Sequence, residues 1–206
     1  MSMSEPDTLS TAEAAYTQRL ITSERSGLKR LLPTQAPYHW NLRSLGLGGI
    51  RVLDIGCGIG RNLAVCGAGS VGVDHNPSSV AAARARGLVA FTADELIGRG
   101  GVGRFDALLC AHVLEHLTET DGTALLASYL PMVRPGGLVV LITPQEAGFA
   151  SDPTHIRFVD ADALRAIASR AGLEELHNYS FPLPRRTGRV FRYNEFVYAG
   201  TVPGVG

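Results

Sequence analysis

Apolar residues along this chain come in short blocks cut by glycine, proline and acidic residues, and from residue 50 onward the blocks alternate in kind. "IRVLDI" (50–55) is a continuous apolar run of strand length, the pattern of a strand buried on both faces. "RNLAVC" (61–66) has room for a helical turn or two, and "SVGVD" (70–74) is a second strand. "PSSVAAARARG" (77–87) predicts a helix opened by proline and closed by glycine. "LVAFT" (88–92) and "RFDALLCA" (104–111) predict the third and fourth strands, and "GGLVVLITP" (136–144) the fifth. Between the last two, "DGTALLASYLPMV" (121–133) is helical until Pro131 bends or ends it. "DADALRAIASRAG" (160–172) is a helix with an aspartate cap and Gly172 as its stop. Upstream, residues 11–32 predict one or two amphipathic helical pieces interrupted near Gly27. Pro33 and Pro37 then force an extended connector, and "YHWNLRSL" (38–45) predicts another short helix.

Strands alternating with helices mean βαβ units and a mainly parallel sheet covered on both faces. The end breaks that rhythm. "LEELHNYSF" (173–181) and "RVFRYNEFVYAGTV" (189–202) follow each other with no helix between them, so they should pair antiparallel at one sheet edge. The expected class is therefore α/β, doubly wound, with an N-terminal helical cap over residues 1–45 and one main domain over 46–206.

Composition narrows the partners. The 206 residues carry 19 basic and 19 acidic side chains, so no global charge points to nucleic acid or an anionic membrane. The one basic concentration is Arg185, Arg186, Arg189 and Arg192, either a solvated loop or an anion-facing lip. Three cysteines (Cys57, Cys66, Cys110) are an odd number in apolar or glycine-rich surroundings, which is no disulfide framework and fits a reducing, cytoplasmic setting. No apolar run approaches the ~18 residues of a membrane span, and "MSMSEPDTLS" lacks the pattern of a signal peptide. The expected partner is a small molecule, with no nucleic acid and no membrane, on a monomer or homodimer.

The sharpest local feature is "VLDIGCGIGRNL" (52–63), in which three glycines follow a buried strand. In open α/β sheets the ligand lies beyond the carboxyl ends of the strands. Gly56 and Gly58 fit the start of a dinucleotide fingerprint, but Arg61 stands where its third glycine belongs, and no lysine supplies a phosphate loop. That weakens an NAD-linked reading. Asp74 ends the second strand twenty residues beyond Asp54, where a carboxylate can accept both hydroxyls of a ribose, and Asp94 follows the third strand near a nucleobase edge. A nucleoside bearing an amino-acid tail and little phosphate suits this set.

In order and spacing, "VLDIGCGIGRNL", "VGVDHN", "TADEL", "FDALLCAHVLEHL" and "VRPGGLVVLITP" resemble the successive motifs of class I S-adenosylmethionine-dependent methyltransferases. The resemblance implies a seven-stranded sheet of order 3-2-1-4-5-7-6 and S-adenosylmethionine as cofactor. It places Asp54, Gly56, Cys57 and Gly58 along the methionine and ribose, Asp74 on the ribose hydroxyls and His75 against an adenine face. Asp94 and the backbone of Glu95 would read the adenine edge, and Cys110 and Ala111 would border the sulfonium.

"HVLEH" spaces His112, Glu115 and His116 at i, i+3 and i+4, one face if the stretch is helical. The string matches one zinc-peptidase pattern, but it follows a nucleoside site and not the larger helical scaffold that such enzymes need. Some class I methyltransferases, among them ubiquinone-pathway and RNA 3′-end enzymes, hold a divalent metal through an E-x-x-E-H form of this segment and a later histidine. Here His112 replaces the first glutamate, and His155 of "SDPTHIRF" stands near the later histidine. His112, Glu115, His116 and His155 would make a set suited to Zn²⁺ or Fe²⁺ more than Mg²⁺. A structural Glu115–His116 pair, or catalysis without metal, fits the same string.

Methyl transfer to an amine needs only an unprotonated nitrogen, whereas a hydroxyl also needs a base or a metal. Histidine suits the base role, so His112, His116 and His155 near one rim favour transfer to a hydroxyl oxygen of a small molecule. N-methylation of a small amine is the second reading, and a cofactor-binding module without activity the third. Tyr38, His39 and Trp40 could form an aromatic lid over the acceptor or pack the first helix onto the sheet.

Overall fold

The computed structural model describes residues 35–99 and 105–204. Its sheet has seven strands in the order β3-β2-β1-β4-β5-β7-β6. The strands are β1 (Val52–Ile55), β2 (Val71–Val73), β3 (Ala90–Phe91), β4 (Phe105–Ala111), β5 (Val133–Pro144), β6 (Glu174–Phe181) and β7 (Glu195–Thr201). The first five pair parallel, and β7 runs antiparallel to both β5 and β6. Helices α1 (Ala36–Ser44), α2 (Pro77–Ala85), α3 (Ala93–Gly98), α4 (Glu119–Tyr129), α5 (Glu146–Phe149) and α6 (Ala161–Arg170) complete the described elements.

The period of two along each strand divides the core. Leu53, Ile55, Leu108, Cys110, Val139, Leu141, Phe196 and Tyr198 face one side and meet α4 and α6 through Leu126, Leu164 and Ile167. Val52, Leu109, Ala111, Val140, Ile142, Val197 and Ala199 face the other side and meet Leu42 of α1. Both faces of the central strands are therefore dry, which is why their sequences read as unbroken apolar runs.

Several elements end where the local chemistry says they should. Asn76 caps α2, accepting from the amides of Ser78 and Ser79, and Pro77 opens the helix. Thr92 and Glu95 form a reciprocal capping box at α3. The Asp160 carboxylate accepts from the Ala163 amide at α6, and Gly172 follows that helix with φ +73°.

Other elements differ from the sequence expectation. The 61–66 segment makes a single 3₁₀ turn, Leu63–Val65. β3 is two residues long, and the expected strand from 189 starts only at Glu195. The last has a visible cause. Asn194 is buried and binds the loop through its side chain, accepting from the Leu183 amide and donating to Gln145 Oε1, Ser180 Oγ and the Leu183 carbonyl. Such bonds compete with a ladder and hold Arg185–Arg189 in a 3₁₀ turn. The "HVLEH" stretch is likewise not an α-helix. His112 leaves β4 with φ +58°, and only Leu114–His116 forms a 3₁₀ turn. The helical pieces expected over 11–32 lie outside the described residues. No helix among the described residues is long and apolar enough to cross a membrane.

At the centre of β2, Gly72 lies under the glycine turn: a Cβ there would stand 2.6 Å from Cys57 Sγ and 2.8 Å from Leu63 Cδ2. Those groups are packed, so Gly72→Ala should destabilise the protein by roughly 1–3 kcal/mol, the usual cost of overpacking, in urea denaturation. Asp160→Ala should cost about 1 kcal/mol in the same measurement, through loss of the α6 cap.

Candidate functional site

The strand order reverses between β1 and β4, and the turn after β1 sits at that switch point. Gly56, Gly58 and Gly60 have φ of +68°, +53° and +82°, a region that side chains rarely enter. A Cβ on Gly56 would also stand 2.2 Å from Val113 Cγ2. The turn is tied to β2 at each step. The amides of Gly56 and Cys57 donate to the Val73 carbonyl. The Gly58 amide donates to Asp74 Oδ2 at 2.8 Å, and the Asn76 amide to Asp74 Oδ1 at 2.9 Å.

Asp54 and Asp74 are both buried. Asp54 Oδ2 has no hydrogen-bond partner among the described residues. Burial, with the nearby Asp74 charge, lifts the Asp54 carboxyl to about 8, against a bond from the Leu63 backbone that favours the anion. His75 stands beside Asp74, Nδ1 to Oδ1 3.6 Å, with 85% of its side chain exposed. Asp94 is exposed in the first turn of α3. The Glu95 carboxylate is occupied by the Thr92 amide and Arg84, and its own amide donates to Thr92 Oγ1. Cys110 points into the core, so only its backbone is available to a ligand, whereas Ala111 lines a cavity. The thiols of Cys57 and Cys110 are raised by burial and by the acids near them, and that of Cys66 to about 12, so all three are inert.

These residues suit the cofactor named by the resemblance. A Cβ at Gly56 or Gly60 would meet packed side chains, and Asp74 is an acidic group already held at the strand end by two amides.

The cavity beside Ala111 measures about 270 Å³. Tyr38, Asn41 and Leu42 of α1, Arg61 and Asn62 of the glycine turn, His112, Ile142, Pro144, and the run Arg192–Glu195 line it. The Tyr38 hydroxyl donates to the Tyr193 carbonyl at 2.6 Å, which ties α1 to that run. Trp40 points away, 64% exposed and stacked on Phe181. Of the basic loop, Arg185 is spent on Glu146 in a two-pronged pair, while Arg192 lines the cavity with its guanidinium over the Tyr193 ring.

His112, His116 and His155 do not share one rim. His112 lines the cavity, bonded through Nε2 to Glu195 Oε1 at 2.8 Å and through Nδ1 to Glu115 Oε1 at 3.3 Å. Burial pulls its pKa down, but the bonds and charges of the two carboxylates outweigh that and lift it to about 10. It is an imidazolium, not the near-neutral base expected from sequence. His116 and His155 are absent from the cavity wall and stack edge-on, ring centroids 4.7 Å apart.

Glu115, His116 and His155 bring one ligand atom each within 4.8 Å of the others. His155 Nδ1 lies 2.8 Å from the Phe149 carbonyl and His116 Nδ1 3.1 Å from that of Thr154, so each Nδ1–H donates and each Nε2 is left for a ligand. Glu115 is buried with Oε2 unpartnered among the described residues. One carboxylate and two imidazoles fit a Zn²⁺- or Fe²⁺-like ion, which would act there as a Lewis acid. His112 is not part of that group, because Glu195 holds its Nε2.

Glu195 is the cavity group that the sequence reading missed. Its signal is an acid at the head of "EFVYAGT", a segment otherwise of buried-strand type.

The raised Asp54 carboxyl makes a pH prediction. Its folded pKa of about 8 lies above the ordinary 3.8, so its contribution to stability is full below 3.8 and lost as pH rises through about 8. Thermal unfolding should therefore show falling stability over that window, and Asp54→Asn should flatten the fall.

The family model described as "Methyltransferase domain" matches residues 16–178. The ubiquinone biosynthesis O-methyltransferase of Bradyrhizobium diazoefficiens is 38% identical over 115 residues, 50% of this chain and 44% of that protein. Its namesake from Aromatoleum aromaticum is 33% identical over 143 residues, 64% of this chain and 59% of that protein. The chain thus spans about half the length of the curated relatives it matches. Among solved structures, the N-methyltransferase NodS from Bradyrhizobium japonicum in complex with S-adenosyl-L-homocysteine superposes with a TM-score of 0.67 at 19% identity, covering 93% of this chain and 98% of that one. A SAM-dependent methyltransferase from Archaeoglobus fulgidus superposes with a TM-score of 0.64 at 19% identity, covering 82% and 94%. With that match over most of its length, the glycine turn and the sheet order on which it rests, the chain belongs to the class I S-adenosylmethionine-dependent methyltransferases.

Proposed function

We propose that this protein transfers the methyl group of S-adenosylmethionine to a hydroxyl oxygen of a small molecule held in the cavity between α1, the glycine turn and the start of β7. The observation that carries this reading is the placement of that cavity. It is walled by Ala111 and His112 at the end of β4 and by Arg61 and Asn62 of the glycine turn, so acceptor and cofactor spaces adjoin. When bound, the cofactor supplies a methyl group on a positively charged sulfur. The chain's own part is to bind, orient and exclude water.

Asp74 and the glycine amides would hold the nucleoside, with His75 and Asp94 at the adenine. Asp54, Gly56, Cys57 and Gly58 would lie along the amino-acid tail and ribose, and Ala111 would border the reacting centre. Leu42, Ile142 and Pro144 give the acceptor an apolar seat, and Tyr38, bonded to the Tyr193 carbonyl, closes one side. A charged, hydrogen-bonded His112–Glu195 pair at that seat supports an acceptor that gives up a proton, and so oxygen over a neutral amine. The printed name of the two relatives, O-methyltransferase, agrees with this choice.

The decisive experiment is methyl transfer from labelled S-adenosylmethionine to paired panels of small hydroxyl compounds and small amines. Label should appear in the hydroxyl panel; label in amines alone would overturn the oxygen reading. Asp74→Ala should weaken S-adenosylhomocysteine binding at least about ten-fold by calorimetry, ~1.4 kcal/mol, since it removes both the proposed ribose acceptor and the partner of the Gly58 amide.

A further inference from the structure

Methylation of a hydroxyl releases a proton, and the cavity wall offers few places for it. His112 cannot take it. Both of its ring nitrogens are already engaged by carboxylate oxygens, Nδ1 by Glu115 at 3.3 Å and Nε2 by Glu195 at 2.8 Å, so neither is left to meet an acceptor hydroxyl. Arg61 and Arg192 are cations throughout. Burial and the Glu195 charge raise the Tyr38 phenol, whose hydroxyl already donates to the Tyr193 carbonyl. The asparagine and glutamine side chains of the wall are not bases near neutrality.

Glu195 remains. Its Oε1 accepts from His112, Oε2 makes no hydrogen bond among the described residues, and the residue lines the cavity. Its side chain is 12% exposed. The backbone beneath it is held firmly: Glu195 pairs with Pro144 of β5 and Phe181 of β6, and its carbonyl accepts from Gln145 Nε2 at 2.9 Å. Gln145 is itself fixed, by bonds to Ser180 Oγ and Asn194.

We propose that Glu195 is the catalytic proton acceptor, with His112 as the positioning residue that aims its carboxylate. The assignment rests on the oxygen-acceptor reading. In the step, the acceptor O–H bond breaks and its proton passes to Glu195 Oε2. The new O–C bond forms as the S–C bond breaks, and the electron pair of that bond stays on sulfur, leaving a neutral thioether. The charges balance: one carboxylate and one sulfonium are consumed, and one carboxylic acid and one thioether remain. His112 Nε2, 2.8 Å from Oε1, fixes that oxygen and leaves Oε2 for the proton.

The test uses the full chain, labelled S-adenosylmethionine, and a series of ring-substituted phenols at one mildly alkaline pH, from phenol, which is un-ionised there, to 4-nitrophenol, which is largely ionised. For phenol, Glu195→Gln should lower kcat/KM by ~10²–10⁴-fold, the usual span of general-base catalysis. The deficit should shrink to a few-fold for 4-nitrophenol, which needs no base. Glu195→Asp should recover part of the loss. Calorimetric affinity for S-adenosylhomocysteine should stay within about two-fold of the parent in both variants, which also reports that they fold. An equal deficit across the whole series would mark a purely structural role and overturn the proposal. So would a Glu195→Gln protein that methylates phenol as the parent does. Transfer by the parent to amines but to no phenol would instead overturn the oxygen reading beneath it, and transfer to neither class with cofactor bound would count against both.

Discussion

A single carboxylate, Asp74, holds two peptide amides at the end of β2, those of Gly58 and Asn76. Almost everything at the site hangs from that bond. It fixes a turn in which three glycines take conformations closed to other residues. It also joins the turn to the start of α2 through the Asn76 amide. The turn packs closely against Val113 and β2. Because Asp74 is buried, its charge is felt nearby. Asp54 keeps its proton near neutrality partly for that reason, and the Cys57 thiol is suppressed.

On the other side of β4 the charges are arranged in the opposite sense. Glu115, His112 and Glu195 alternate in sign across the end of the strand, and His112 accepts a left-handed backbone to stand between the two acids. A buried carboxylate without a partner is costly, so the imidazolium stabilises Glu115 as well as aiming Glu195. Beyond Glu115, His116 and His155 form a separate group whose tautomers are set by two backbone carbonyls. One glutamate thus joins the cavity-lining His112 to a cluster able to ligate a metal.

The wall of the cavity depends on polar groups buried elsewhere. Asn194 and Gln145 are wholly enclosed, and their bonds to each other and to Ser180 replace the ladder that would have extended β7. Gly188 packs on Gln145 so tightly that a Cβ would overlap its side-chain oxygen. Fully satisfied networks of this kind rigidify a segment, and here the segment is the one that presents Arg192, Tyr193 and Glu195 to the acceptor.

Period-two alternation and unbroken apolar runs were enough to read a doubly wound sheet with an antiparallel edge, because burial on two faces leaves its mark residue by residue. The helix ends at Pro77, Asp160 and Gly172 were legible for the same local reason, and so were the glycine turn and Asp74, since positive φ and a strand-end acid are chemistry of neighbouring residues. What lay beyond reach was anything set by residues far apart in the chain. His112 reads as an ordinary titrating histidine until Glu195, eighty-three positions on, is folded against it. Likewise, "HVLEH" has helical spacing, but the close of β4 turns His112 out of the face shared by Glu115 and His116. Local sequence determined the glycine turn and its acid; only the packing of β7 beside β5 decided which acid lines the cavity and which form of histidine stands beside it, because an ionisation state belongs to the charges that surround a side chain and not to the side chain itself.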